Sequence, residues 1–360
     1  MSSYANRVCL RCRTHKRKCD KLLPVCSLCK RLNRVCCYTE PNGIAGSGNS
    51  PEDVSSISLP VPDLAQLTSP NISHTIRTQV FTIIGDESRI RAVAAVYFRT
   101  IHPWFPILAE GPFYERLTHI LTYTSPDLSL LTLCMVLLGV KPVDDEIPPR
   151  MRSLYILLKG FIATLEAIEI NSLELLQCRL LLTIFEVGHG MYPAAYISIG
   201  ANVRAAVALG ANEVSKAQLE EMFKSPGRAD EARRIWRGIV ITDRALMTIL
   251  EFGCSLKAPG SESCAAASYE LQQDVIGELV NASESFAAQI TPADLEALPV
   301  FVVHSVYKAA RLLLGVLRDS PKLDSGRAVS VLENVLQCMS TRWMTGKRYL
   351  DELKRQKTAS

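Results

Sequence analysis

The sequence predicts an all-α chain in three parts: a small cysteine-rich module over residues 1–40, a flexible linker over 41–76 and a large all-helical domain over 77–360. Three observations predict this. Seven of the 12 cysteines crowd between Cys9 and Cys37. The next stretch is rich in Gly and Ser and is broken by Pro41, Pro51, Pro60, Pro62 and Pro70. From about residue 77 onward, apolar residues recur at three- and four-residue spacing with few strand-like alternations.

The module is also where the charge lies. Residues 1–40 hold ten Lys/Arg against Asp20 and Glu40, a net of +8, which leaves −4 for the other 320 residues of a chain totalling +4. A basic head on a mildly acidic body points to a polyanion as partner of the head alone. The N-terminal residues lack an apolar signal core, so the thiols are expected to be reduced. The longest apolar run, Leu128 to Val140, is about 13 residues, short of the roughly 20 that span a bilayer. The expectation is a soluble intracellular protein without membrane partners.

The cysteines read C-x2-C-x6-C twice: Cys9, Cys12 and Cys19, then Cys26, Cys29 and Cys36, with Pro24 in the joining loop. A C-x2-C pair grips a metal from one turn, and a third cysteine returns to the same ion after a short helix. Each half then offers three thiolates where tetrahedral zinc takes four. Sharing one thiolate from each half closes the deficit, so six cysteines hold two zinc ions per chain. Cys37 is left as a spare or as a substitute for Cys36. A redox dithiol would need only one such pair and a βαβ context that is absent. A single site from Cys9, Cys12, Cys26 and Cys29 would leave Cys19 and Cys36 unexplained at matching positions.

This arrangement resembles the fungal binuclear zinc cluster family of transcription factors. The match includes Arg13, Lys16 and Lys18 followed by Cys19-Asp20, the Pro24-x-Cys26 loop and Cys36-x-Tyr38. The resemblance implies that Cys9 and Cys26 are the bridging ligands. It also implies that the position of Lys16, with nearby backbone carbonyls, reads a CGG-type triplet of double-stranded DNA. His15 stands where the family more often carries Arg or Lys. Lysine donates well to guanine O6 and N7 in the major groove, which suits a short helix expected from Arg13 to Lys18. Arg13, Arg17, Lys18, Lys21, Lys30, Arg31 and Arg34 are expected to touch phosphates, giving affinity that falls steeply with salt. The basic run also suits nuclear import.

In the linker, the prolines interrupt any heptad pattern, so no coiled coil starts behind the module. Any homodimer is expected to form through the helical body instead, leaving fragment 1–76 monomeric. Helices are expected over Asp86–Ile101, Pro112–Tyr123, Pro126–Val140, Pro149–Ile168, Ser172–Val187, Pro193–Leu209, Ala229–Phe252, Leu298–Arg318 and Arg327–Leu353. Asp86, Ser125 and Ser172 suit N-caps and Gly210 a C-terminal stop.

Three body segments resemble the fungal-specific regulatory domain that often follows this cluster: Tyr97 to Leu108; Leu180 to Gly190 with Gly200 to Gly210; and Glu231 to Arg244. Arg237 replaces a common second tryptophan, and Ala211-Asn212 replaces the usual Leu-His. Arg233, Arg234, Asp243 and Arg244 are expected to form a partly buried ion network, with Trp236 anchoring a core face. His102, His189 and His304 are isolated, and Cys134, Cys178, Cys254, Cys264 and Cys338 read as small core residues. Paired carboxylates, a nucleophile motif and a phosphate loop are all lacking, so no enzyme is expected. The resemblance implies a nuclear activator acting on the transcription machinery, with metabolic or secondary-metabolite genes as targets. A repressor or cofactor is the alternative, since Lys347 to Ser360 is basic rather than acidic.

Overall fold

The computed structural model describes residues 4–32, 34, 36–38, 69–117, 126–255, 278, 281–286, 288–319 and 323–358. The chain divides into two compact units, one within residues 1–62 and one within 63–360. Among the described residues no β-strand forms, and the isolated bridges are Tyr4 with Leu22 and Val143 with Glu146. Most of the expected linker, and the expected cap at Ser125, lie outside the described residues.

The first unit holds two five-residue helices, α1 (Leu10–Thr14) and α2 (Ser27–Arg31). The second opens with α3 (Ser69–Ile83), so the helical body starts ahead of the expected residue 77. Pro70 stands in the first turn of α3, where a missing N–H breaks no helical bond. What read as a linker proline is part of a helix start. Ile72, Ile76 and Val80 form its buried stripe, and α3 packs on α6 (Pro126–Leu138).

Between them run α4 (Glu87–Thr100) and α5 (Glu110–Leu117). Asp86 caps α4 as expected, accepting from the Arg89 N–H at 3.0 Å. Residues 118–123 of the expected fifth segment lie outside the described residues.

The centre of the body is α8 (Leu173–Gly188), in which every residue except Arg179 is buried. This is why its sequence is apolar on all sides. Ser172 caps it, accepting from the Leu175 N–H at 3.1 Å. Helices α6, α7 (Pro149–Ala167), α9 (Tyr192–Ala208) and α11 (Pro226–Ser255) pack against α8, and α10 (Lys216–Phe223) packs on α11. Gly210, at φ +72°, ends α9 in a Schellman motif in which Gly210 and Ala211 donate to the carbonyls of Val207 and Ala206, both at 2.9 Å.

A short α12 (Pro292–Glu296), capped by Thr291, leads into α13 (Val300–Asp319), α14 (Leu323–Ser340) and α15 (Met344–Thr358), which pack on one another. The segment expected as one helix from Arg327 to Leu353 is thus two helices. The break at 341–343 follows from burial of its residues. Trp343 is fully buried and donates Nε1–H to the Leu298 carbonyl at 2.9 Å. Arg342 is 3% exposed and donates to the carbonyls of Leu138, Val140 and Glu296 at 2.6, 3.1 and 3.3 Å. Its guanidinium also lies 4.1 Å from the Trp343 ring centroid. A cation thus satisfies the end of α6, where carbonyls lack helical partners.

The expected ion network is corrected by the structure. Among the described residues Arg233 pairs with Asp230 at 2.9 Å, and no arginine pairs with Asp243. The network instead joins Glu174 and Glu231 to Arg228 and Arg116, with Gln177 donating to Glu231 at 2.9 Å. Helical spacing could not show this, because the partners come from α5, α8 and α11. Burial alone would raise the pKa of Glu174, but the hydrogen bond and charge of Arg228, reinforced by Arg116, outweigh it and hold it below the ordinary glutamate range. The unfolded chain therefore takes up this proton first on acidification. The stabilisation is fully present above about pH 5 and is lost as pH falls below the usual glutamate value near 4.3. Glu174→Gln is expected to lower the urea midpoint at pH 7 and to flatten its fall between pH 5 and 3.5, as read by tryptophan fluorescence.

The three body histidines are packed groups. His102 meets Phe98, His189 lies between Phe185 and Trp343, and His304 contacts the Tyr349 hydroxyl at 3.1 Å. Cys134 and Cys178 are buried and Cys338 is half-buried, whereas Cys264 and the side chain of Cys254 lie outside the described residues. Trp236 packs against the core as expected.

Candidate metal centre and nucleic-acid interface

The cysteine unit is built twice with a repeat of 17 residues. Cys9 and Cys26 precede α1 and α2 with nearly identical backbone angles, φ −64° and −66° with ψ 150° in both. Arg13 and Lys30 donate to the carbonyls of Cys9 and Cys26 at 3.0 and 2.9 Å. Arg17 and Arg34 donate to the carbonyls of Cys12 and Cys29 at 2.8 and 3.0 Å. Each short helix thus carries its first two cysteines on one side and turns the chain back toward the third.

The expected helix from Arg13 to Lys18 is corrected: α1 spans Leu10–Thr14, and Lys16 lies beyond it in the left-handed region at φ 48°. Lys16 and Arg17 donate to the carbonyls of Arg13 and Cys12 at 3.1 and 2.8 Å, closing a Schellman motif. The chain must reverse here to return Cys19 to the cluster, so helix cannot continue. Glycine is the usual residue at such a position, and a lysine there costs on the order of 1 kcal/mol or more.

Six thiols converge in this unit. Cys9, Cys12, Cys19 and Cys26 place their Sγ atoms within 4.8 Å of one another, and so do Cys9, Cys26, Cys29 and Cys36. The two groups share Cys9 and Cys26, whose sulfurs are 3.8 Å apart. Cys9, Cys12, Cys26 and Cys29 are buried, and the residues packed around them are Cys19, Val25, Leu28, Cys36 and Tyr38. No ordinary hydrophobic core stands behind them. Burial pushes the Cys9 and Cys12 thiols up and Cys29 to about 12. Burial also opposes ionisation of Cys26 and Cys36, yet backbone N–H groups of Cys29 and Cys26, each 3.4 Å from the sulfur, contribute to holding these two down. Two divalent cations are what would let so many thiolates share so small a space.

Other contacts fix the loop between the halves. The Asp20 carboxylate accepts from the Ser27 N–H at 3.1 Å, and the Tyr38 hydroxyl donates to the Leu22 carbonyl at 2.9 Å. Cys37 is exposed and belongs to neither thiol group.

Around this centre the basic side chains point outward. Arg13, His15, Lys16, Arg17, Lys18, Lys30, Arg31 and Arg34 are exposed. Lys21 is half-buried and donates to the Asn6 carbonyl at 3.3 Å, which makes it part of the fold. Arg17, Lys18 and Arg31 line one shallow concavity of about 590 Å³ that joins the two halves. Arg11 was missing from the candidate contacts, yet it is exposed and shares a second concavity with His15 and Arg17. Its proximity to Leu28 and Leu32 there arises from folding of one half on the other, which no spacing reveals.

A small thiolate-rich centre with a basic exterior, beside a separate all-helical unit, defines a metal-organised DNA-binding regulator. The comparisons with known proteins agree. Residues 7–43 match the Fungal Zn(2)-Cys(6) binuclear cluster domain, and residues 94–252 match the Fungal specific transcription factor domain. The chain is 38% identical over 123 residues to Transcription factor BOA15 of Botryotinia fuckeliana, a match covering 34% of this chain and 68% of that protein. No solved structure matches the chain. The protein belongs to the fungal Zn(2)-Cys(6) transcription factors, a family of DNA-binding regulators rather than enzymes. Its cofactor is zinc, two ions per cluster, and the paired thiol groups fit that number. Among the described residues no helix is long and apolar enough to cross a membrane.

Proposed function

We propose that this chain acts in the nucleus as an activator whose zinc module reads a CGG-type triplet in the major groove and whose helical body conveys that binding to the transcription machinery. The observation that carries the reading is the pair of thiol groups sharing Cys9 and Cys26 beneath an exposed basic surface. Cys9 and Cys26 serve as bridging ligands, Cys12 and Cys19 complete one site, and Cys29 and Cys36 complete the other. When bound, zinc supplies the cross-links that a module without an apolar core requires.

Lys16 is the residue assigned to base reading. Its left-handed backbone carries it past the end of α1, clear of the helix wall, so its ammonium can reach guanine O6 and N7. Arg13, His15, Arg17, Lys18, Lys30, Arg31 and Arg34 lie on the exposed exterior, where contact with flanking phosphates sets register and affinity. Lys16→Ala is expected to relax the preference for the G-containing triplet, costing about 1–3 kcal/mol, whereas Lys30→Ala should weaken all sequences alike and reduce the salt slope. Titration of specific and random duplexes at several salt concentrations distinguishes the two. An unchanged specificity ratio in Lys16→Ala would remove the assigned docking.

The target genes are proposed to belong to a metabolic or secondary-metabolite set. Activation is tested by fusing the body to a neutral DNA-binding domain and measuring a reporter. The prolines between 41 and 70 leave pairing of two modules to the helical body. Full-length protein is then expected to tolerate several spacings between paired triplets.

A further inference from the structure

Helix α9 buries Ala195, Ser198, Ile199, Asn202 and Ala206. Its other side is unusual for a solvent face. Tyr196 is 51% exposed, Ile197 72% and Val207 50%, and Arg204 is the helix's only charged residue. On the neighbouring α7, Ile156 is 63% exposed. Lys159 of α7 reaches Ser198 of α9 at 2.8 Å, so the two helices stand side by side. The result is a continuous apolar surface on a body that is otherwise charged outside.

Two glycines lie in this surface without an internal reason. A Cβ at Gly160 would meet nothing within 4 Å, and one at Gly200 would meet only Arg204 Nη1 at 3.9 Å. Neither has a positive φ. A glycine in mid-helix costs about 1 kcal/mol relative to alanine, so the fold itself would be better served by alanine. Close approach by a helix from outside the chain accounts for both.

We infer that the α9 face is the self-association surface of this protein, and that its occupant is α9 of a second copy crossing antiparallel at Gly200. The inference rests on the proposed pairing through the helical body, and it names the contact. Tyr196 and Arg204 stand four residues to either side of Gly200, and Pro193 and Val207 seven to either side. An antiparallel crossing on a two-fold axis therefore sets each Arg204 against the second copy's Tyr196, and each Pro193 against the second copy's Val207. Arg204 has no ion pair or hydrogen bond among the described residues, and a tyrosine face supplies the electrostatic complement to its guanidinium. The contact is made twice by symmetry. The seam from Pro193 to Val207 runs about 21 Å at 1.5 Å per residue, and the exposed α7 residues widen it.

The test is made on the full-length chain. Light scattering is expected to give a dimer for the parent protein. Ile197→Asp should raise the dissociation constant at least about tenfold, while zinc content, tryptophan fluorescence and single-triplet binding stay unchanged. A second experiment needs no disruptive variant. Gly200→Cys should cross-link to itself with a short bismaleimide above the parent background. Tyr196→Cys mixed with Arg204→Cys should cross-link where neither does alone. A monomeric parent chain, a dimer that survives Ile197→Asp, or absence of the mixed cross-link would each overturn the inference. Failure of the parent chain to bind a triplet would count against the DNA reading only, and the measured mass would still decide this one.

Discussion

Serine in place of Cys26 is expected to release both zinc ions, unfold residues 9–36 and abolish sequence-specific DNA binding, whereas serine in place of Cys12 should disturb chiefly one ion. The asymmetry follows from the thiol groups: Cys26 belongs to both and Cys12 to one. Because the buried residues of the module are its cysteines, metal ligation supplies its folding free energy, on the order of 10 kcal/mol or more per structural zinc at neutral pH. Cys9→Ser should behave as Cys26→Ser, since the repeat of 17 residues makes the two positions equivalent. Cys37→Ser should change neither zinc content nor DNA binding. Fluorescence anisotropy with a triplet-containing duplex, alongside zinc analysis of each purified variant, checks the series. Equal loss in Cys12→Ser and Cys26→Ser would argue against sharing.

The second large effect is expected far from the metal. Arg342→Ala should destabilise the helical body by about 3–5 kcal/mol, because it strips three buried carbonyls of their donor and removes a cation from the face of Trp343. Burial lowers the Arg342 pKa to about 10, and the residue is charged at neutral pH. Arg342→Lys should recover part of the loss, since one ammonium cannot reproduce the fork that spans Leu138, Val140 and Glu296. The three tryptophans, Trp104, Trp236 and Trp343, all lie in the body, so their fluorescence during urea unfolding reports this unit without interference from the zinc module. A fall in midpoint within the scatter of surface substitutions would contradict the assigned role.

Legibility of the chain in its sequence divides along physical lines. The cysteine module was readable because ligand chemistry fixes residue type and spacing together. Helices α4, α6, α7, α8 and α9 were readable to within a few residues because their caps and apolar patterns are local, as Asp86, Ser172 and Gly210 show. What escaped was nonlocal. The reversal at Lys16 is imposed by the return of Cys19 to the cluster, and a basic run carries no sign of it. The break between α14 and α15 is imposed by partners of Arg342 and Trp343 about 45 to 200 residues away in sequence. The ion network was misassigned for the same reason, since Arg116 and Glu174 meet only after α5 and α8 pack. Short helices such as α10 and α12 were missed because one or two turns leave too little periodicity to detect.

The account depends most on two zinc ions held by six shared thiolates, and native mass spectrometry of the full-length chain measures that number directly. Two zinc ions per chain are expected, lost in Cys9→Ser and Cys26→Ser and retained in Cys37→Ser. One zinc ion per chain, retained when Cys19 and Cys36 are both replaced by serine, would contradict it and return the module to a single four-cysteine site.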